Sequence, residues 1–393
     1  MKKRIALLLT AVMLLTVVVG CSKTTSTGGG DKKGEILIGG NFEMSGGAAT
    51  FGKSSANGIN LAFKEINAKG GVLGKQLKLV TADNKSEPGE STVAATKLIT
   101  QDKVVAVLGS VASSDTLAAV PVAMQYKIPL VSPTSTNPKV TVDEKTGKVN
   151  DYIFRVCFID PFQGEVAANF VLNTLGKKTA AIYIDQKSDY SLGLAEVFEK
   201  VFKAGGGEIV ATEKYVAGQD KDFKATLTRI KGKNPEVIFI PGYYQEVGLI
   251  VKQARELGVN VPMVGGDGWD SSDLVKIAGA APLNNTYFVN HVATDDPGAK
   301  AFVESYKKEY NQDPDALAVL AYDAAYVLAK AIENAGDTNG DKIKAALENI
   351  KDFKAVSGNT TIDPKTHNPI KSAVILEVKD GKNVFKAKIE PKK

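Results

Sequence analysis

The chain switches its apolar period repeatedly, and the whole alternation runs twice. Short apolar runs of strand character at Ile36–Ile38, Leu77–Val80, Val104–Leu108 and Ile128–Val131 are separated by helical runs. The first of these places Ile59, Ala62, Phe63 and Ile66 on one face; the next span Ser91–Ile99 and Leu117–Met124. An extended stretch at Tyr152–Phe158 restarts the series, with helices expected at Phe162–Leu175, Leu192–Phe202, Phe223–Ile230 and Val247–Leu257. Strands are expected between them at Ala180–Ile184, Glu208–Tyr215, Val237–Ile240 and Pro262–Val264. Apolar strands joined through helices form parallel sheets covered on both faces. The chain therefore reads as α/β, with two doubly wound parallel-sheet lobes. A strand at Tyr287–Val289, helices near 298–311, 315–335 and 340–350, and two terminal strands complete it. Asp380-Gly381 between Ala373–Val378 and Asn383–Ile389 is a hairpin signal. In open parallel sheets ligands bind beyond the carboxyl ends of the strands, so two facing sheets place a site in the cleft between them.

The N-terminus fixes the compartment. Lys2, Lys3 and Arg4 precede an apolar run from Ile5 to Val19, which ends in Val18-Val19-Gly20-Cys21. A charged start, a short apolar core and small residues at a cleavage site mark a secretory signal. The run falls short of the roughly 20 residues a membrane-spanning helix needs. Val18-Val19-Gly20-Cys21 resembles a bacterial lipobox, which implies a signal peptide over 1–20 and acylation of Cys21. Residues 21–34 then form a Ser-, Thr-, Gly- and Lys-rich tether. Cleavage leaves 373 of the 393 residues, enough for two lobes. The charge balance, 49 basic against 44 acidic residues, and the lack of a basic stripe with interleaved aromatics give no case for nucleic acid. With Cys21 acylated, Cys157 has no disulfide partner; in Ile153-Phe154-Arg155-Val156-Cys157-Phe158 it reads as a small buried hydrophobe.

One motif points elsewhere. Gly47-Ala48-Ala49-Thr50-Phe51-Gly52-Lys53-Ser54 matches the phosphate-loop pattern between a strand and a helix. Glu43 stands four residues before it, where a carboxylate repels phosphate, and an exported chain meets little ATP. The alternative reading makes Gly46 and Gly47 turn residues and Lys53 a solvated one. Of the two histidines, His367 lies in a turn and His291 follows an apolar strand as a structural residue. Neither belongs to a recognisable catalytic or metal-binding spacing. Asp83 and Asp185, at strand ends, read as turn or capping acids. No catalytic residue, metal or cofactor is expected.

The block Met44-Ser45-Gly46-Gly47-Ala48, Phe51-Gly52, Gly58-Ile59, Leu61-Ala62, Glu65-Ile66-Asn67-Ala68-Lys69-Gly70-Gly71-Val72-Leu73-Gly74 resembles the branched-chain amino-acid-binding (leucine-binding-type) proteins of ABC transporters. Val107-Leu108-Gly109-Ser110, Ser113-Ser114 and Ile128 to Pro138 continue the likeness, as do Asp220 to Phe223, Gly242-Tyr243 and Gln253 to Gly258. The resemblance implies the type I periplasmic binding protein fold, with three chain crossings near Val156, Val289 and Asn359. The N-lobe is then 35–156 plus 290–358, and the C-lobe 157–289 plus 359–393.

A zwitterionic amino acid needs hydrogen-bond donors for its carboxylate and a charged acceptor for its ammonium, because either group is costly to bury alone. The loop into the helix after Ser110 offers backbone N–H groups at a helix start. By the resemblance, Ser113 holds the carboxylate with Thr136, while Asp267 stands where relatives carry an acidic residue, commonly Glu. Tyr190 and Tyr243 match aromatics that close over the ligand. Phe51, where Tyr is common, lines the side-chain pocket with Val111, Ala112 and Thr134; Ser135 completes the second loop. Tyr244 reads as a surface or core aromatic, and Trp269 stays outside the set. Asp267→Ala is expected to abolish amino-acid binding while leaving the fold intact. The expected molecule is a monomeric, lipid-anchored, non-enzymatic binding protein that delivers an aliphatic amino acid to a membrane permease. A sensory lipoprotein of the same fold, a binder of another small amide or carboxylate, and an exported enzyme are the competing readings.

Overall fold

Side chains alternate along β1 (Glu35–Phe42) so that Ile36 and Ile38 enter one apolar layer and Leu37 the other. A parallel strand covered on both faces requires this pattern. A computed structural model describes residues 34–391; the signal peptide, Cys21 and most of the tether lie outside the described residues. After β1 come α1 (Ala49–Ala68), β2 (Gln76–Asp83), α2 (Pro88–Thr100), β3 (Ala106–Gly109), α3 (Ser113–Tyr126), β4 (Leu130–Ser132) and β5 (Ile153–Arg155). These strands form one parallel sheet in the order β2-β1-β3-β4-β5, with Ile38 opposite Leu79 on one side and Ala106 on the other.

The second series is α4 (Asp160–Asn169), β6 (Thr179–Asp185), α5 (Asp189–Ala204), β7 (Glu208–Tyr215), α6 (Lys224–Gly232), β8 (Val237–Phe239), α7 (Tyr244–Glu256), β9 (Met263–Gly265), α8 (Ser272–Ala278) and β10 (Thr286–Asn290). Then α9 (Lys300–Tyr310), α10 (Ala316–Ala335) and α11 (Gly340–Glu348) lead to β11 (Ala373–Lys379) and β12 (Lys382–Ile389). The second sheet runs β12-β11-β10-β9-β8-β6-β7. It is parallel from β7 to β10, but β11 and β12 join antiparallel and give the sheet a mixed edge. Asp380 and Gly381, both at positive φ, make the predicted tight turn.

Two expectations shift in detail, and one helix was not expected. The extended stretch after Tyr152 is shorter than its apolar run, because the chain leaves the first sheet after Arg155. The helix expected over Phe162–Leu175 ends at Asn169 and finishes as a wider π turn, Phe170–Thr174. At seven residues, under two turns, α8 is too short to show a period.

Helix α10 is buried almost all round, with Leu317, Leu320, Leu328 and Ile332 packed into the core beside α1, β3 and β4. Each such side chain contributes roughly 1.5–3 kcal/mol on burial, which anchors this late helix to the first sheet. In each sheet strand order reverses beside an early strand, β1 in the first and β6 in the second. Such reversals open a crevice at the carboxyl ends of the strands. No described helix is long and apolar enough to cross a membrane.

Candidate functional site

Loops leaving the carboxyl ends of strands from both sheets meet around one small cavity of about 10 Å³. From the first half come Phe51 (α1), Val111 and Ser113 (after β3), Thr134 and Thr136 (after β4), with Leu317 from the first turn of α10. From the second half come Tyr190 (α5), Tyr243 (before α7), and Asp267 and Gly268 (after β9). Eight of the residues expected from sequence thus line one cavity. Ala112 and Ser135 are not in it. The Ser135 hydroxyl is used on the Ser110 and Val111 carbonyls and on Thr116 Oγ1, and Ala112 lends its N–H to Glu43.

The first-half wall sets hydroxyls among apolar side chains. Ser113 is 1% exposed, and its hydroxyl accepts from the Asn137 N–H at 3.2 Å, which leaves its proton to donate. The loop carrying Thr136 is fixed from behind by Arg155, fully buried in β5. Its guanidinium donates to the carbonyls of Ser135 and Asn137 and to Thr141 Oγ1. Part of the expected anion site is already taken. The buried Glu43 carboxylate accepts from Val111 N at 3.2 Å and Ala112 N at 2.9 Å. A ligand carboxylate is left with the Ser113 side of the helix start. Glu43 also hydrogen-bonds Asp115, whose carboxyl is pushed up to about 9, first by burial and then by the neighbouring charge.

Asp267 provides the facing negative charge. One oxygen accepts from Gln163 Nε2 at 2.7 Å and the other pairs with His291 Nε2 at 3.0 Å. His291 in turn stacks on Phe158 at 3.8 Å. The glycines around Asp267 are a packing requirement rather than turn filler: a Cβ on Gly266 would lie 2.4 Å from the Tyr190 hydroxyl. That hydroxyl accepts from Gly268 N at 3.3 Å. The Tyr190 and Tyr243 rings stack at 5.2 Å and 7°, and Phe51 meets Tyr243 edge-on at 5.7 Å. Burial pushes both tyrosine hydroxyls well above their usual range, so they remain neutral donors.

Gln163, His291, Glu43, Arg155 and Leu317 were not singled out as site residues from sequence. Gln163 follows Asp160-Pro161, a helix-start pattern, and Leu317 opens a helix without a polar face; those were the available signals. Tyr244 is a core aromatic, 4.9 Å from Phe51, and Trp269 is buried with its indole N–H on the Ile240 carbonyl. The phosphate-loop motif does not cradle an anion. Its Ala48 and Thr50 N–H groups are held by Ser86 Oγ and the Tyr244 hydroxyl, and Lys53 is exposed. A Cβ on Gly52 would stand 2.3 Å from the Glu43 carbonyl oxygen, so that glycine serves close packing. Asp83 and Asp185 accept turn N–H groups, from Met44, Ser45 and Lys85 and from Lys187 and Ala217. Cys157 is buried, its thiol pushed up to about 12 by burial. Among the described residues no group of three or more His, Cys, Asp and Glu side chains could hold a metal ion.

The two halves also touch directly. Ser114 Oγ donates to Asp189 Oδ2 and accepts from Asp189 N, both at 3.0 Å. Asn137 Nδ2 reaches the Asp189 carbonyl at 2.7 Å, and Thr50 Oγ1 lies 2.9 Å from Ser271 Oγ.

Two strand-end crevices closed on one small cavity suit the capture of a solute, and residues 35–383 match the family described as periplasmic binding protein. The chain belongs to that family. It is 34% identical over 329 residues to the Leu/Ile/Val-binding protein BraC3 of Rhizobium johnstonii, covering 83% of this chain and 87% of that one. A leucine binding protein, LivK, from Thermotoga maritima superposes with a TM-score of 0.84 at 40% identity, covering 91% and 99% of the two chains. The branched-chain amino acid transporter substrate binding protein LivJ of Streptococcus pneumoniae, in complex with isoleucine, gives 0.84 at 42% identity, covering 91% and 100%. As a member of this family the chain is an extracytoplasmic solute-binding protein and not an enzyme.

Proposed function

We propose that the cavity captures a free amino acid with an aliphatic side chain and that the loaded protein delivers it to the membrane permease of an ABC transporter. One observation carries this reading: hydroxyl donors on one wall, Ser113 and Thr136, face a carboxylate on the other, Asp267, with apolar Phe51, Val111 and Leu317 beside them. A solute bearing an ammonium and a carboxylate on one carbon satisfies both walls, and the apolar side takes its side chain. The names of the relatives, Leu/Ile/Val-binding and leucine binding, support the same class.

Capture works by hinge closure between lobes 35–156 plus 290–358 and 157–289 plus 359–393. The solute first meets Ser113 and Thr136; Tyr190, Tyr243 and Asp267 then close over it and exclude water. Contacts to both lobes are what favour the closed form. The protein acts as a monomer held to the membrane through acylated Cys21, whose two or three chains anchor where one does not.

A thermal-shift panel tests the reading. Leucine, isoleucine and valine should each raise the melting temperature, by the equivalent of about 2.7 kcal/mol at a hundred times Kd. Isovalerate, which lacks the ammonium, and isoamylamine, which lacks the carboxylate, should not. Equal shifts from either analogue would remove the two-walled site. Loss of leucine uptake on deletion of the chain separates delivery from sensing.

A further inference from the structure

Helix α5 carries a half-buried glycine in its second turn, Gly193, although glycine is among the poorest residues for a helix interior. A Cβ there would lie 3.0 Å from Asn137 Nδ2, which comes from the loop after β4 in the first half. The next atom it would meet, Asp160 Oδ2 of its own half, stands at 3.6 Å, an ordinary contact. The missing side chain is thus a notch for one amide of the facing half. Asn137 is 2% exposed, and each of its polar groups is committed. Its N–H donates to Ser113 Oγ at 3.2 Å, and its carbonyl accepts from the Arg155 guanidinium at 2.7 Å. Its Oδ1 accepts from the Lys139 N–H at 3.0 Å, and its Nδ2 donates to the Asp189 carbonyl at 2.7 Å. These partners fix which end of the amide is nitrogen, because an N–H only donates and a carbonyl only accepts.

We propose that Asn137 is a positioning residue that ties capture of the ligand carboxylate to closure of the two halves, with Gly193 as the notch that admits it. The inference rests on the amino-acid reading above and names what seats the second half on the first. Ser113 holds the Asn137 backbone from the cavity side and Arg155 holds it from behind, so the amide stands in one place when α5 arrives. Asp189 opens α5 and Tyr190 follows it. Seating the amide on the Asp189 carbonyl therefore sets the Tyr190 ring over the cavity. Ser114 grips the same turn through the Asp189 carboxylate. A ligand carboxylate that takes the Ser113 proton makes Ser113 Oγ a better acceptor for the Asn137 N–H, since chained hydrogen bonds polarise one another. Capture and closure then favour each other through one residue.

Isothermal titration and stopped-flow binding of isoleucine to the full protein test this. Gly193→Ala should weaken binding roughly 3- to 10-fold, about the worth of one hydrogen bond, through a faster off-rate. Its ligand-free melting temperature should equal or exceed the parent's, because alanine suits a helix better. Asn137→Ala should weaken binding by a similar factor. In the double variant the new methyl fills the space the amide has left, so the affinity should stay within about twofold of Asn137→Ala alone. A residue that merely supports the fold gives neither the opposite signs on binding and stability nor the lost second penalty. Gly193→Ala binding within about 1.5-fold of the parent, a Gly193→Ala protein that melts lower without ligand, or penalties that multiply in the double variant overturn the inference and leave the amino-acid reading standing. A parent that binds none of isoleucine, leucine and valine overturns that reading itself. If Asn137→Ala does not fold, Gly193→Ala decides alone.

Discussion

Replacing Asp267 by Asn tests the ammonium assignment without emptying the space it fills. The carboxylate is 6% exposed and accepts from Gln163 Nε2 at 2.7 Å while pairing with His291 Nε2 at 3.0 Å. In Asp267→Asn the retained oxygen still accepts from Gln163, and the new amide can donate to the imidazole in its other tautomer. The internal network survives, but the ligand ammonium loses a charged acceptor. Removing one member of a buried charge pair costs about 2–5 kcal/mol in binding, largely because the partner charge is left uncompensated. At 1.4 kcal/mol per decade, Kd for isoleucine rises roughly 30-fold to several thousand-fold. Asp267→Ala carries a second cost, since Gln163 and His291 are left buried without their acceptor. At about 1–3 kcal/mol for each orphaned group, its ligand-free melting temperature falls by several degrees. The sequence-based expectation of an unharmed fold is thus replaced by one of weakened stability. Titration calorimetry gives the first quantity and scanning calorimetry the second. Isoleucine affinity in Asp267→Asn within threefold of the parent would refute the reasoning, because the ammonium would then be held by other groups.

Ser114→Ala removes both hydrogen bonds to Asp189 across the gap between the halves. At about 1 kcal/mol per bond, it should raise the isoleucine off-rate roughly 5- to 30-fold in stopped-flow fluorescence; an unchanged off-rate would show that Asp189 does not hold the closed form. Lys53→Ala should leave both isoleucine affinity and melting temperature unchanged, since Lys53 is exposed, and ATP should shift the melting temperature of neither protein; an ATP-dependent shift lost in Lys53→Ala would revive the phosphate-loop reading. The ligand-free protein should melt at progressively lower temperature as pH rises from 5 to 9. Burial, followed by the Glu43 charge, pushes Asp115 up to about 9, and burial, followed by the Asp270 charge, pushes Asp315 up to about 7. A carboxyl raised in the folded state stabilises fully below its unfolded value near 4 and loses that contribution as pH passes its folded value. Asp115→Asn should therefore flatten the alkaline end of the profile in scanning calorimetry, and an unaltered profile would contradict the assignment.

What could be read without coordinates was whatever local order controls. β1, β3, β6 and β9 declare themselves by apolar runs, and the residues just beyond their ends are the ones that reach the cavity: Phe51, Ser113, Tyr190 and Asp267. What could not be read depends on partners far along the chain. Glu43 caps the start of α3 through backbone groups 68 and 69 positions away, and nothing within either segment specifies that meeting. Leu317 reaches the cavity only because α10, late in sequence, packs back on α1, the first helix. Gln163 and His291, 104 and 24 positions from Asp267, become its partners through the order of strands in the second sheet. Glu43 shows how a correct local inference can still be incomplete. Its carboxylate argues against phosphate at the neighbouring glycine loop, and the fold turns it instead towards the helix start expected to serve the ligand. Val111 and Ala112 N–H are satisfied internally, so the proposed amino-acid reading puts the ligand carboxylate one residue further on, against Ser113 and opposite Asp267. In that reading the resident anion sets the ligand along the helix start, towards the wall that carries its counter-charge.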